Sequence, residues 1–204
     1  MKTIIVDPFP REMGLIFKPN KIKLLKKKFK IINAPSKNKL KFYKQHISKA
    51  DFIIGQPDLP KSLLTLASKL KAIFNVESNF MDNMDYEYCF NNGIHVLATS
   101  PVFAQPVAEM ALGLTLSIAR SIHIAHSDFV ASKEKYGGAI SQKNFLLKNK
   151  TFGLIGFGDL AKSLTPHLRV FSKNILAYDP WVPNKEIERF DVKPNNLNLS
   201  LIHI

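Results

Sequence analysis

Residues 151–179 read TFGLIGFGDLAKSLTPHLRVFSKNILAYD. The apolar run Phe152 to Ile155 has the length of a buried parallel strand. It meets Gly156-Phe157-Gly158, after which Asp159-Leu160-Ala161-Lys162 opens a helical pattern. A second apolar run, Ile175 to Tyr178, ends at Asp179, 21 residues beyond Gly158. Two glycines, a small residue and a delayed acid in a strand–turn–helix–strand frame make the dinucleotide-binding pattern.

The chemistry accounts for the spacing. Gly156 permits the tight turn, and Gly158 lets the backbone approach a pyrophosphate with no side chain between them. Ala161 is small enough for the helix to press on the strand. The helix N-terminus offers unpaired N–H groups and the positive end of its dipole. Asp179 is placed to accept from adenosine ribose hydroxyls, which favours NAD over NADP because a 2′-phosphate would meet a carboxylate.

The 204 residues allow one large or two small domains, and the 46% hydrophobic content is ample for a core. One cysteine, Cys89, excludes internal disulfides and fits a reducing, cytoplasmic setting. It lies among apolar and aromatic residues and reads as a buried structural thiol. MKTIIVDPFP does not read as a signal peptide, because the apolar run is short and Asp7 follows it. Val107 to Ala125 is apolar but carries Glu109, Arg120 and His123, so a buried helix is expected rather than a membrane span. The net charge of +13 is concentrated between Lys18 and Lys49, with twelve lysines and no acid. Ile22, Leu25 and Phe29 form a helical stripe there, with lysines on the other faces. Arginine and stacking aromatics are not concentrated in it, so a solvated face is expected and no nucleic-acid partner.

Strand and helix patterns alternate ahead of the glycine turn. Strands are expected at Thr3–Val6, Ile31–Ala34, Phe52–Gly55, Ala72–Val76 and Ile94–Ala98. Helices are expected at Asn20–Lys30, Lys39–Ser48, Leu59–Lys69 and Tyr86–Phe90. Such alternation implies an α/β fold with a parallel sheet. One long helix is expected from Ala104 to about Lys133, with Pro106 in its first turn, before Tyr136-Gly137-Gly138 breaks the chain. The domains expected are 1–100, 101–198 with a linker helix at 104–133, and a tail at 199–204.

The order of these pieces resembles the D-isomer-specific 2-hydroxyacid dehydrogenases over nearly the whole chain. The resemblance rests on Leu70-Lys71-Ala72-Ile73 before a loop and Asp85, then Gly93-Ile94-His95-Val96. It continues in Pro106-Val107-Ala108-Glu109 opening a helix with Arg120, and in GLIGFGDLAKSL with YDPW. It implies a flavodoxin-like parallel-sheet domain, a long linker helix and the first βαβ half of a Rossmann NAD-binding domain. NAD is the implied cofactor, a small 2-hydroxy or 2-keto acid the implied substrate, and a homodimer the implied assembly, with no membrane partner. Gly156, Phe157, Gly158, Asp159 and Leu160 fall where the family wraps the pyrophosphate; Asp179 and Pro180 fall where it meets the adenosine ribose. Val76, Glu77 and Ser78 match the segment whose N–H groups hold the substrate carboxylate. The family usually has glycines there, and a Glu77 carboxylate beside a substrate carboxylate is expected to repel it, pointing away from an ordinary 2-keto acid.

The resemblance also implies a catalytic arginine, glutamate and histidine on later strands, past the third strand reached through a helix after Val192-Lys193-Pro194. The chain is therefore expected to be inactive alone and prone to aggregate along an unpaired sheet edge. Leu199 to Ile204 match one frame of a sequencing adaptor and are expected to be non-native. A non-catalytic, NAD-responsive binding or regulatory protein of the same fold is the alternative. His123 and His126, at i and i+3, read as polar helix surface rather than a metal pair. Asp82, Asp85 and Glu87 read as helix capping rather than a cation site. No metal and no catalytic set is expected.

Overall fold

The computed structural model describes residues 1–137 and 144–197, so the expected tail at 199–204 and Gly138 lie outside the described residues. The chain folds as two compact units, Met1–Ser100 and Pro101–Ile204.

In the first unit five parallel strands stand in the order β2-β1-β3-β4-β5. They are β1 (Thr3–Asp7), β2 (Lys30–Asn33), β3 (Phe52–Gly55), β4 (Ala72–Phe74) and β5 (His95–Leu97). Between them run α1 (Met13–Ile16), α2 (Pro19–Lys28), α3 (Lys39–His46), α4 (Lys61–Leu64) and α5 (Tyr86–Asn91). The period-2 alternation of β1 sorts its side chains between two cores. Ile5 joins Ile53, Ile73, Tyr43, Leu63 and Cys89 on one face, while Ile4 and Val6 join Ile54 and Val76 on the other. Cys89 is a free, buried thiol, as expected. The lysines of α2 flank a helix with no buried residue, packed through Leu25 and Phe29 at the margin of the second core.

Two helical expectations in this unit change length. Leu59–Lys69 yields only the single turn of α4, with Pro60 as its N-cap. Beyond it Leu66 and Ala67 donate three residues back, and the Thr65 hydroxyl donates to the Ser62 carbonyl. Hydroxyl side chains compete with the helix ladder in this way, and the tighter turns still bury Leu63, Leu64, Ala67 and Leu70. Lys39–Ser48 becomes α3 followed by a 3-10 turn at Ile47–Lys49.

The carboxyl end of β1 carries a buried polar group. Asp7 is 4% exposed; its carboxylate accepts from Lys39 Nζ at 2.7 Å and the Tyr43 hydroxyl at 3.1 Å. Burial, then the Asp7 charge, push the Tyr43 hydroxyl above its ordinary value of 10.0. The folded protein keeps it neutral where the unfolded chain ionises, so its contribution is complete below pH 10.0 and is lost as pH rises beyond. Chemical denaturation across this range should show stability falling above pH 10, less steeply in Tyr43→Phe. An equal slope in both proteins would contradict this account.

The second unit opens with α6 (Ser100–Ala119) and α7 (Ile122–Val130). These replace the single expected helix, for a tertiary reason. The Ala119 carbonyl accepts from the Phe145 N–H at 2.9 Å, and Ser121 takes a left-handed conformation with φ 52°. The helix also begins earlier than expected, with Pro101 near its start, so Pro106 lies inside it rather than in its first turn. The expected burial is corrected too. Only Ala104, Ala108 and Ala119 of α6 are buried, while Met110, Leu114 and Ile118 are exposed among the described residues. By length and composition α6 also reaches the range of a membrane span, but Glu109 accepts from Gln105 along its surface at 3.0 Å.

A three-stranded parallel sheet follows, in the order β6-β7-β8. It comprises β6 (Phe152–Ile155), α8 (Asp159–Arg169), β7 (Ile175–Tyr178), α9 (Asn184–Glu188) and β8 (Lys193–Pro194). Val192-Lys193-Pro194 is expected to precede the third strand by a helix, but Lys193–Pro194 already forms that strand. Leu176 pairs with Lys193 and Ala177 with Pro194, while Val192 is buried with Phe157, Leu168 and Ile187.

Candidate functional site

The glycine turn between β6 and α8 takes the form the sequence predicts. Gly156 has φ +88°, the left-handed region that side chains strain to adopt. Its N–H donates to the Tyr178 carbonyl at 2.7 Å, tying the turn to β7. Gly158 is the N-cap of α8 and, having no side chain, makes no side-chain cap of its own. A Cβ built on Gly158 would meet nothing within 4 Å. The turn therefore leaves open space in front of helix donors that have no partner inside the helix, the cradle an anion requires. Beside it a cavity of about 250 Å³ is lined by Val107, Ala108 and Ala111 of α6 and by Gly156, Leu160 and Ala161.

Asp179 does more than the sequence predicts. Its Oδ2 accepts from the Phe157 N–H at 2.7 Å, and its Oδ1 accepts from Trp181 and Val182 at 2.8 and 2.9 Å. Partial burial works to raise this carboxyl, but the three backbone donors, with the Lys162 charge, hold it below its ordinary value of 3.8. A carboxylate has about four acceptor sites, so three bonds leave room for one further donor. The Phe157 N–H is thereby committed to Asp179 rather than to a phosphate. Its ring is fully buried, edge-on to Phe190 at 5.6 Å between centroids. Asp159 lies in the first turn of α8, where its charge suits the helix dipole. Pro180 and Trp181 are exposed beyond β7.

In the first unit Val76, Glu77 and Ser78 bend away from the carboxyl end of β4. The Val76 side chain belongs to the core, which leaves only its backbone polar groups for other contacts. Glu77 is not a bare charge. Arg11 Nε donates to its Oε1 at 2.8 Å and Arg11 Nη2 to its Oε2 at 3.1 Å. The repulsion expected of Glu77 is thus largely offset by a paired guanidinium. Sequence reasoning missed Arg11 because 66 residues separate the partners and nothing local links them. It likewise used Asp7 only as a charge ending an apolar run.

Asp85 caps α5 by accepting from the Tyr88 N–H at 2.8 Å, the structural role expected of it. The ring Nδ1 of His123 lies 3.3 Å from the Ser117 hydroxyl, and His167 meets Gln105 at 3.2 Å. Among the described residues no three His, Cys, Asp or Glu side chains gather as a metal site.

Residues 112–201 match the family model of the D-isomer specific 2-hydroxyacid dehydrogenase NAD binding domain. Hydroxypyruvate reductase from Thermotoga maritima is 32% identical over 162 residues, 74% of this chain and 52% of that protein. The crystal structure of a phosphoglycerate oxidoreductase from Rhizobium etli is 38% identical with a TM-score of 0.83, covering 98% of this chain and 63% of that one.

The chain carries, over residues 112–201, the NAD binding domain of the D-isomer-specific 2-hydroxyacid dehydrogenases. It spans about half the length of the Thermotoga relative it matches. A crystal structure from Aquifex aeolicus, D-lactate dehydrogenase complexed with NAD and lactic acid, shares the fold at 18% identity and a TM-score of 0.66 over 99% of this chain and 58% of that one. The family's cofactor is NAD, and the residues present fit it. The open face of Gly158, the uncapped start of α8 and the remaining acceptor site of Asp179 suit a pyrophosphate and an adenosine ribose.

Proposed function

We propose that this chain carries the substrate-side domain and the adenosine half of the nucleotide domain of an NAD-dependent oxidoreductase, one transferring hydride between a 2-hydroxy acid and NAD. The observation that carries the reading is the open, uncapped α8 N-terminus facing Gly158, bounded by an ionised Asp179. The amides of Gly158, Asp159 and Leu160 hold the pyrophosphate, and Asp179 accepts one ribose hydroxyl. Phe157 and Pro180 contribute by fixing the two turns rather than by direct donation. NAD, when bound, supplies the hydride acceptor at its nicotinamide ring. The backbone N–H groups of Val76, Glu77 and Ser78 hold the carboxylate of the 2-hydroxy or 2-keto acid. We read the chain by itself as binding NAD without turning substrate over. The reduced, buried Cys89 supports a cytoplasmic setting, and the exposed stripe Met110, Leu114 and Ile118 on α6 supports a homodimer.

Titrating NADH into the purified 204-residue chain, with the shift of nicotinamide fluorescence as readout, tests the reading. Saturable binding, with NADPH weaker by about tenfold or more, is expected. Equal affinity for both cofactors, or none for either, would overturn it.

A further inference from the structure

The loop after β4 holds more than the carboxylate-binding amides. No protein acceptor takes the N–H groups of Val76, Glu77 or Ser78 among the described residues. Consecutive unpaired amides of this kind are donors available to an anion, and these sit at the carboxyl end of a parallel strand, where ligands of α/β sheets bind. Just before it, the Asn75 side chain is 2% exposed, and neither its Nδ2 nor its Oδ1 has a hydrogen-bond partner. A buried carboxamide left unsatisfied at both ends calls for a polar partner beyond the protein, a water or a ligand.

The obstacle is Glu77, whose charge sits within the same three residues. Arg11 removes it. The guanidinium, on the loop after β1, grips both Glu77 oxygens in parallel at 2.8 and 3.1 Å. The grip turns the carboxylate toward Arg11 and neutralises it there. A bidentate pair fixes direction as well as charge, which a lysine would not do.

We infer that Arg11 is a positioning residue for substrate carboxylate binding: by holding Glu77, it converts a self-repelling loop into an anion site that Asn75 completes. This rests on the reading that the loop holds a carboxylate. The device also couples anion affinity to the β1 loop, far away in sequence.

The test is a backbone-amide NMR titration of the 204-residue chain with oxalate, against chloride at matched ionic strength. In the wild type the amides of Val76, Glu77 and Ser78 and the Asn75 carboxamide should shift saturably with oxalate. Arg11→Met should weaken binding about tenfold or more. Arg11→Met combined with Glu77→Gln should restore affinity to within about threefold of wild type, because the charge to be neutralised is gone. Should Arg11→Met bind oxalate as well as wild type, the positioning role is overturned. The same holds if the double variant stays as weak as Arg11→Met, since Arg11 would then matter only to the fold of the loop. Absence of oxalate-dependent shifts in wild type overturns the anion site itself. NADH added to the same samples reads the second unit separately, so failure of the nucleotide reading is told apart from failure here.

Discussion

Replacing Asp179 by Asn is expected to weaken NADH binding about tenfold or more and to lower stability by about 1–3 kcal/mol. The size of the effect follows from the geometry. The carboxylate accepts three backbone N–H bonds at once, from Phe157 on one oxygen and from Trp181 and Val182 on the other. An asparagine can keep the bonds on one oxygen only; its amide nitrogen must then face another donor. The glycine turn and the β7 turn lose their common anchor, and the last acceptor site for a ribose hydroxyl goes with it. NADPH should lose less than NADH, because the charge that disfavours a 2′-phosphate has been removed. The same bonds set a pH dependence. With the folded carboxyl below 3.8, the stabilisation is complete above that value and disappears as pH falls through the folded one. Denaturation midpoints measured from pH 5 downward should fall more steeply for the wild type than for Asp179→Asn. Cofactor affinity unchanged in Asp179→Asn would remove the residue from the site.

Gly158→Val should separate binding from folding. Gly158 has φ −80°, which any residue adopts, and its Cβ would meet no protein atom within 4 Å. Stability should therefore stay within about 0.5 kcal/mol of wild type, while a valine fills the space before the α8 amides. NADH binding should fall about a hundredfold, below ordinary detection. Gly156→Ala makes the contrast, since its φ of +88° strains a side chain. It should cost about 1–2 kcal/mol of stability and reduce binding only as far as the turn shifts. Thermal melts beside NADH titrations of both variants would decide it. If Gly158→Val bound NADH like wild type, the cradle would have to lie elsewhere.

The sequence by itself determined the alternation of strands and helices, the parallel sheets and the glycine turn. Each of these is written in short-range periodicity and in residues, such as Gly156, whose backbone geometry few others share. Phe52–Gly55 was legible to the residue, because a short apolar run between turns has one natural register. Asp179 was legible as an acid at the right distance, but its main employment was not. That it clamps Phe157, Trp181 and Val182 depends on two turns meeting across β6 and β7. Tertiary structure alone decided where α6 stops, since the Ala119 carbonyl turns to Phe145 and away from the next helical amide. It also made a strand of Lys193–Pro194, whose two residues carry no period and pair only because β7 is there to receive them. The sign of the Glu77 loop was likewise a tertiary matter. Its electrostatics follow from Arg11, which the sheet brings within 2.8 Å although no local pattern joins the two. Coulombic and hydrogen-bond partners are chosen by proximity in space, and proximity is what the packed sheet provides.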